Sequence, residues 1–477
     1  MCLQFMKKTN SSLYIISITL VATLGGLLFG YDTAVISGAE KSIEAYLIDG
    51  LGLSSFIHGA TISSALIGCI VGGVISGFFS STFGRKKTLI LASILFLFSA
   101  IGSAYPEIFF FTKGEPTVAL LLAFNFYRII GGIGVGLASA IVPMYIGEIA
   151  PAKIRGRLVS YNQFAIIFGM LVVYFVNWGI ARGKTLEWIN DIGWRYMFAS
   201  EAIPALLFCV FLFFVPETPR YLALKNKDEN ALAILTKING IKTAKIILRD
   251  IKKTMSASAE KISPFAFGKT VIVVGIMLSL FQQFVGINVA LYYAPRIFES
   301  MGAAKDASML QTIVMGLVNV IFTVIAIMKV DEWGRKPLLI IGSIGMAIGM
   351  FGVAGLAFFN IIGVSTLLFI ILYTASFMMS WGPICWVLIS EIFPNRIRGQ
   401  AVAIAVAAQW AANYLVSSTY PMMMEISGGL TYGLYGVMSV LSVLFVWRFV
   451  PETKGASLEE LENIWKKPPH SRKVTAL

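Results

Sequence analysis

The chain has 477 residues, of which 57% are hydrophobic and only 13% are charged. This composition excludes an ordinary soluble enzyme and indicates a polytopic membrane protein. The formal net charge of +13 would suit a nucleic-acid-binding protein. However, the cations lie between apolar segments, where membrane topology and lipid headgroups account for them, so no nucleic-acid partner is expected.

Twelve apolar segments, each about 20 residues long, are long enough to cross a membrane. The first segment is long and lacks a small-residue cleavage site, so we expect no cleaved signal peptide. The predicted spans are residues 13–36, 58–80, 87–105, 118–142, 160–181, 197–215, 270–294, 309–329, 337–359, 364–390, 399–422 and 431–450.

Basic residues are concentrated in alternate connectors. The connectors near 85–87, 153–157, 216–266 and 335–336 carry the Lys and Arg clusters, whereas the connectors near 360 and 425 carry no cation. By the positive-inside rule, this pattern predicts that both termini are cytoplasmic.

The two halves of the chain repeat each other. Phe83-Gly84-Arg85-Lys86 recurs as Trp333-Gly334-Arg335-Lys336, and Pro216-Glu217-Thr218 recurs as Pro451-Glu452-Thr453. A duplicated six-helix unit is typical of transporters, whose binding site lies between the halves. The predicted domains are a six-helix bundle in 1–215, a cytoplasmic linker with short amphipathic helices in 216–266, a second bundle in 267–450, and a tail helix in 451–477.

Three amide side chains, Gln282, Gln283 and Asn288, lie inside the seventh apolar segment. Lipid cannot satisfy amides, so they must face protein, water or a hydroxylated ligand. In an unbroken helix Asn288 would point about 140° away from Gln283. Gly286 permits a break that would bring them together. We favour a neutral polar ligand, and the alternative is that the amides join one helix to another.

Asp32 in the first segment and Arg128 in the fourth are deep charges. A carboxyl inside a membrane is costly unless it is paired, protonated or wet, so we expect the two to pair. Protonation of Asp32 would release Arg128 and give a two-state element that a proton can bias. The alternative is a static structural salt bridge.

The cysteines and histidines form no metal-ligand spacing, and neither His58 nor His470 lies where a catalytic base would be expected. We therefore predict no metal site and no cofactor. Since transport makes and breaks no bond, we also predict that the protein is not an enzyme.

The Gly-Arg-Lys and Pro-Glu-Thr repeats, together with Gln-Gln-x-x-Gly-Ile-Asn at 282–288, resemble the sugar porter family of the major facilitator superfamily over nearly the whole chain. Within that family, runs such as Ile18 to Gly38 and Ala401 to Trp410 are similar to the bacterial D-xylose–proton symporters. The resemblance implies the major facilitator fold, an all-α membrane protein of twelve transmembrane helices in two pseudo-symmetric six-helix bundles with cytoplasmic surface helices, working by alternating access. It also favours proton coupling, since symporters of the family carry Asp at the position of Asp32, where facilitative relatives tend to carry Asn.

The resemblance also implies a set of sugar-binding residues. Gln163, Met170 and Asn177 lie seven residues apart and so share one stripe of the fifth segment. By resemblance Gln163 touches sugar hydroxyls, and Met170 stands where the D-xylose symporters carry Gln, which leaves the exact sugar open. The other implied lining or neighbouring residues are Gln282, Gln283, Asn288, Tyr292, Asn319, Trp386, Gln409 and Trp410, with Phe29 a weaker candidate.

Charged residues at the cytoplasmic ends of segments form a predicted cytoplasmic gate of inter-helix salt bridges that hold the outward-facing state. Simple positive-inside charge is the alternative. Glu201, near the start of the sixth segment, is expected to join this network weakly, if at all. The gate residues are Arg85, Glu148, Arg155, Arg335, Glu391 and Arg398.

The predicted function is proton-coupled import of a monosaccharide, with D-xylose favoured, by a monomer in the lipid of the inner membrane. A hexose symporter or a uniporter is the first alternative. The second is a non-transporting sugar sensor, but sensors of this fold usually add a long signalling tail, and only about 27 residues follow the last span.

Overall fold

The computed structural model of the chain describes residues 2–108, 111–151, 154–257, 269–300, 302, 304–359, 361, 364–394 and 397–454. Within these residues, 12 helical stretches are long and apolar enough to cross a membrane. The predicted all-α membrane protein with twelve spans is therefore confirmed. The predicted tail helix around Ser457 to Trp465 lies outside the described residues.

The N-terminal half begins with a helix that is longer than its apolar core. The predicted span ends at residue 36, but α1 continues through Gly38 to Ile43. It therefore carries Glu40 and Lys41 beyond the predicted end of the span. The helices of this half are α1 (Cys2–Ile43), α2 (Ser55–Ile62), α3 (Ser64–Phe83), α4 (Arg85–Ala104), α5 (Val118–Ile149), α6 (Arg155–Ala181), α7 (Leu186–Trp188), α8 (Trp194–Ser200) and α9 (Ala202–Leu212).

Three helices lie between the halves, within the linker 216–266 that was expected to form short amphipathic helices. They are α10 (Pro219–Leu224), α11 (Asp228–Asn239) and α12 (Ile241–Ala257). We call the side of the molecule that carries them the linker face, and the opposite side the far face.

The C-terminal half has two helix pairs that are broken within a span, α13/α14 and α18/α19. Its helices are α13 (Lys269–Phe284), α14 (Ile287–Tyr292), α15 (Ala294–Ser300), α16 (Lys305–Trp333), α17 (Arg335–Phe358), α18 (Val364–Met379), α19 (Trp381–Glu391), α20 (Arg398–Ile426) and α21 (Gly428–Phe449).

The repeated motifs form the same turn in both halves. Gly84 and Gly334 have positive φ angles of 96° and 88°, which glycine adopts without steric cost, and each separates two spanning helices. The Glu217 carboxylate accepts hydrogen bonds from the backbone N–H groups of Arg85 and Lys86, both at 3.1 Å. A carboxylate at a helix N-terminus is stabilised by the helix dipole, so Glu217 fastens the linker to α4.

Glu452 repeats this arrangement in the C-terminal half. Its carboxylate accepts from the N–H groups of Arg335 and Lys336, both at 3.0 Å. The Pro-Glu-Thr repeat is thus a structural device, which in each half ties the end of the last span to the first turn of an earlier one.

The halves contact each other closely near the far face. α2 of the N-terminal half lies against α20 of the C-terminal half, and a Cβ atom on Gly59 would overlap the Ser418 carbonyl. Nearer the middle, the Tyr174 hydroxyl on α6 donates to the Leu291 carbonyl on α14 at 3.3 Å. The two halves are therefore held together on the far-face side of the molecule.

Candidate functional site

The predicted break in the seventh span is present. α13 ends at Phe284, α14 begins at Ile287, and Gly286 between them has a φ of 89°. The Tyr435 ring packs directly against Gly286, where any Cβ would meet it at 2.7 Å. Only glycine combines this backbone conformation with such a close approach.

The break brings the three amides into one chain of hydrogen bonds. Asn288 Nδ2 donates to Gln283 Oε1 at 2.5 Å. Gln283 Nε2 in turn donates to Gln282 Oε1 at 3.4 Å. The expectation that a break at Gly286 would let the amides converge is confirmed.

Gln282 behaves differently from its two neighbours. Its Nε2 atom donates to the Trp381 carbonyl at 2.9 Å, at the point where α18 gives way to α19. Ser380 interrupts these helices with φ −132° and ψ −89°. Gln282 therefore joins two helices, as the alternative interpretation of the amides proposed. Asn288 stays partly exposed.

Further polar groups of the C-terminal half are buried without protein partners. Among the predicted site residues, these include Asn319 Oδ1, Gln409 Oε1 and Trp410 Nε1. A buried polar atom with no hydrogen bond is costly, so water or a hydroxylated ligand must satisfy each of them. Tyr292 is buried and its hydroxyl accepts from Asn413 Nδ2 at 3.4 Å. Trp386 is half-buried.

An aromatic contact crosses between the halves beside this polar group. The Phe29 ring on α1 lies 5.6 Å from the Trp410 ring on α20, centroid to centroid. Phe29, the weaker sequence candidate, therefore approaches the predicted site from the opposite half.

The N-terminal half contains the predicted buried ion pair. Arg128 Nη1 lies 2.6 Å from Asp32 Oδ1, and each side chain is 2% exposed. The guanidinium also lies over the Phe198 ring, 5.3 Å from its centroid. Burial from water strengthens this pair, and for the same reason loss of either partner would leave an uncompensated charge.

Glu201 belongs with this pair and not with the cytoplasmic gate, in keeping with the expectation that it joins the gate weakly, if at all. Its carboxyl is fully buried, both its oxygens lack a hydrogen-bond donor, and it interacts with Asp32 and Arg128. The signal was present in the sequence, since a carboxyl within an apolar segment is as costly at Glu201 as at Asp32.

Gln163, Met170 and Asn177, the predicted stripe of the fifth span, lie on α6, and the last two of them contact α1. Asn177 Nδ2 donates to the Val35 carbonyl at 3.2 Å, which makes it a helix-joining amide. Met170 is buried at 7% exposure, with its backbone against Gly30. Gln163 is half-buried. Asn177 is thereby engaged within its own half, while the roles of Gln163 and Met170 stay predictions.

The gate residues form ion pairs within each half. Arg85 Nη2 lies 2.7 Å from Glu148 Oε1. Arg335 Nη2 lies 3.1 Å from Glu391 Oε1. Arg155 is exposed, and no ion pair to it occurs among the described residues. The side chain of Arg398, at the start of α20, lies outside the described residues.

Glu217 lies beside the first of these pairs. Burial raises the pKa of the Glu217 carboxyl above its ordinary value, and the N–H donors of Thr218, Lys86 and Arg85 act in the opposite direction. The linker-face ends of α3, α4 and α5 are thus held by one connected polar network.

The chain has twelve spans in two repeated halves. Polar groups without protein partners lie in the C-terminal half, and a buried charge pair lies in the N-terminal half. Together these features define a membrane transport protein. The family described as "Sugar (and other) transporter" matches residues 18–465. The chain belongs to this sugar transporter family of the major facilitator superfamily.

Individual relatives match along their whole length. The D-xylose-proton symporter of Escherichia coli (strain K12) is 54% identical, over 98% of this chain and 98% of the relative. The glucose facilitated diffusion protein of Zymomonas mobilis is 40% identical, over 97% of this chain and 99% of the relative. The solved inward-open conformation of the xylose transporter XylE from E. coli is 54% identical and superposes with a TM-score of 0.86, over 94% of this chain and 100% of the solved chain. Its partially occluded inward-open conformation is 52% identical, with a TM-score of 0.84 over 92% of this chain and 100% of the solved chain. The predicted major facilitator fold is therefore confirmed.

Proposed function

We propose that this chain imports D-xylose across the bacterial inner membrane together with protons. The observation that carries the proposal is that the molecule contains two different polar sites. The C-terminal half has neutral amides beside buried polar atoms that lack a hydrogen-bond partner, and the N-terminal half has the buried Asp32–Arg128 pair. The similarity along the full length to a D-xylose-proton symporter supports the same assignment.

The sugar would bind between the halves. Gln283, Asn288 and Gln409 offer amide donors and acceptors that match sugar hydroxyls, and Trp410 and Phe29 offer apolar ring faces. The remaining members of the proposed site are Gln163, Met170, Gln282, Tyr292, Asn319 and Trp386. No covalent bond is made or broken in this cycle, so the protein acts as a carrier that needs neither a cofactor nor a metal.

The proton would act on the buried ion pair. With Asp32 charged, Arg128 is held to α1 at 2.6 Å. Protonation removes the attraction and frees Arg128 to interact with Glu201, so the two protonation states favour different packings of α1, α5 and α8/α9. A sugar that binds one of these packings more tightly is thereby coupled to the proton.

The orientation follows from the charges. We place the linker face and both termini in the cytoplasm, because the basic connectors lie there. The far face is then periplasmic, and the bonds that join the halves on that side correspond to an inward-facing state. The ion pairs of Arg85 and Arg335 persist within each half in this state, so the proposed gate would add contacts between halves when the cytoplasmic side closes.

Hexose transport is the second candidate function. Met170 is apolar where a xylose symporter offers an amide, and a thioether wall accommodates the extra hydroxymethyl group of a hexose at little cost. A relative named for glucose diffusion has 40% identity over nearly the whole chain, in keeping with this alternative.

The test is transport by the purified full-length protein in proteoliposomes. We expect counterflow of xylose, and alkalinisation of the external medium as sugar and protons enter together. A panel of pentoses and hexoses ranks the substrates. Counterflow without proton movement would overturn the symport, and preference for glucose over xylose would replace the proposed substrate.

A further inference from the structure

Opposite charges meet across the two halves at the far face. The end of α1, the turn that follows it and the start of α2, all in the N-terminal half, carry Glu40, Lys41, Glu44 and His58. α15, in the C-terminal half, carries Arg296 and Glu299. None of these residues contributes to the sugar site or to the buried pair at Asp32.

Arg296 is the centre of this cluster. Its Nη1 atom lies 2.6 Å from Glu40 Oε1 and 2.8 Å from Glu44 Oε2. Its Nη2 atom donates to Glu44 Oε1 at 3.2 Å. One guanidinium therefore binds two carboxylates that both belong to the other half of the protein.

Two further contacts join the halves beside Arg296. Lys41 on α1 forms an ion pair with Glu299 on α15. The Ser55 hydroxyl on α2 donates to the Glu425 carboxylate on α20. The Ser308 hydroxyl also donates to Glu299, at 3.2 Å, and holds that carboxylate in place.

Burial makes the cluster sensitive to the loss of its cation. Glu40 is 2% exposed and Arg296 is 33% exposed. His58 is buried beside them, with its two ring nitrogens 3.2 Å from Glu40 and 3.4 Å from Glu44. Without Arg296, two neighbouring carboxylates would face each other in a poorly hydrated place, which is costly.

The linker face shows a different arrangement. Among the described residues, its ion pairs join partners within one half or within the linker, as Arg85 with Glu148 and Arg335 with Glu391. The ion pairs that join one half to the other lie at the far face. They therefore depend on how the halves are tilted relative to each other, and the pairs at the linker face do not.

We propose that Glu40, Glu44 and Arg296, supported by Lys41 and Glu299, form a charge latch that closes the far face. The inference rests on the alternating access of the proposed transport cycle. When the halves tilt to open the far face, Arg296 leaves the carboxylates and water replaces it. The latch thus stabilises the state in which the far face is closed, and its strength sets how often that face opens.

The test measures the distance between the halves directly. Nitroxide labels on cysteines placed at Ser54 and Ala304 report it, since both positions are exposed, lie at the far face and belong to different halves. The full-length protein, with its native cysteines replaced, is reconstituted in nanodiscs without sugar. Pulsed electron–electron resonance then gives the distance distribution.

A charge swap makes the test specific. Arg296→Glu places three carboxylates together, and we expect the distribution to shift to longer distances. Glu44→Arg combined with Arg296→Glu restores one cation between two carboxylates with the original total charge, and we expect the short distance to return. An unchanged distribution in Arg296→Glu, or a folded double variant that stays open, would overturn the latch.

Two more variants guard against simple misfolding. Arg296→Gln is milder and should give a smaller shift in the same direction. Glu107→Gln removes one partner of the buried Glu107–Arg195 pair, 2.6 Å apart and contained in the N-terminal half. It should lower thermal stability without changing the distance. If it opens the far face as much as Arg296→Gln, the shift reflects general destabilisation and the latch is refuted. Since the measurement involves no sugar or proton gradient, its outcome is separate from that of the transport assay.

Discussion

The two halves share a scaffold but differ in the polar groups that they bury. The N-terminal half buries charges, among them Asp32, Arg128 and Glu201. In the described part of the C-terminal half, from residue 269 to 454, the buried polar side chains are serine, threonine, asparagine and glutamine, all of them neutral. A buried charge responds to protons, whereas a buried amide binds a neutral ligand in the same way across a wide pH range.

This difference indicates a division of roles. The repeated elements are the ones at the linker face, where Glu217 and Glu452 cap equivalent helices. Where the halves differ, they do so deep in the membrane, at positions that the scaffold does not constrain. We infer that the N-terminal half carries the proton chemistry and the C-terminal half most of the sugar recognition.

The strongest test of this division is Asp32→Asn. Asn keeps the shape of the side chain and removes its titratable group. We expect complete loss of xylose accumulation driven by a pH gradient, with sugar binding and exchange retained. Uptake by proteoliposomes with and without an imposed gradient measures both. Accumulation by the variant would assign the coupling to another residue, with Glu201 the first to examine.

Gln283→Ala and Asn288→Ala should come next in size. Each leaves a polar site without one hydrogen-bond partner, at about 1–3 kcal/mol, or roughly 5- to 150-fold in affinity. Calorimetric titration of the purified protein with xylose measures the loss.

The matched control is Asn177→Ala, which removes an amide of the N-terminal half that is bonded to the Val35 carbonyl. It should lower the melting temperature and leave the affinity for xylose close to that of the wild type. Wild-type affinity in both Gln283→Ala and Asn288→Ala would move the sugar site elsewhere, and a large loss in Asn177→Ala would remove the contrast between the halves.

Glu391→Gln tests the ion pairs that both halves share at the linker face. It should have a moderate effect on the balance between inward-facing and outward-facing states. We expect a shift toward inward-facing states, because the proposed gate would join the halves through these charges when the cytoplasmic side closes. Glu148→Gln is its counterpart in the other half and should shift the balance in the same direction. Cysteine accessibility on both faces reports the shift, and unchanged labelling in both variants would argue against the gate.

Met170→Gln should have the smallest effect. The change adds an acceptor and two donors where the chain now has a flexible apolar side chain. We expect the ratio of xylose to glucose affinity to rise, by less than the loss of affinity expected for Gln283→Ala. Competition of each sugar for bound xylose gives the ratio. A constant or falling ratio would mean that Met170 does not contact the part of the sugar that differs.

Much of this architecture was available from the sequence alone. Twelve spans, the repeat of the halves and the helix break at Gly286 follow from hydropathy, motif spacing and the conformational freedom of glycine, which are local properties. The Asp32–Arg128 pair could also be predicted, because a deep charge in a membrane needs a partner and few are present.

The tertiary structure alone decided which groups share a site. Gln282 and Asn177 are amides within apolar segments, as Asn288 is. Gln282 nevertheless bonds to the Trp381 carbonyl and Asn177 to the Val35 carbonyl, because the way the helices cross selects their partners and the residue type does not. Glu201 lies with Asp32 although the two are on different helices, and Arg296 binds Glu40 and Glu44 over separations of 256 and 252 residues in the chain. Contacts of this kind depend on how whole helices pack and tilt, and no periodicity within one segment encodes them.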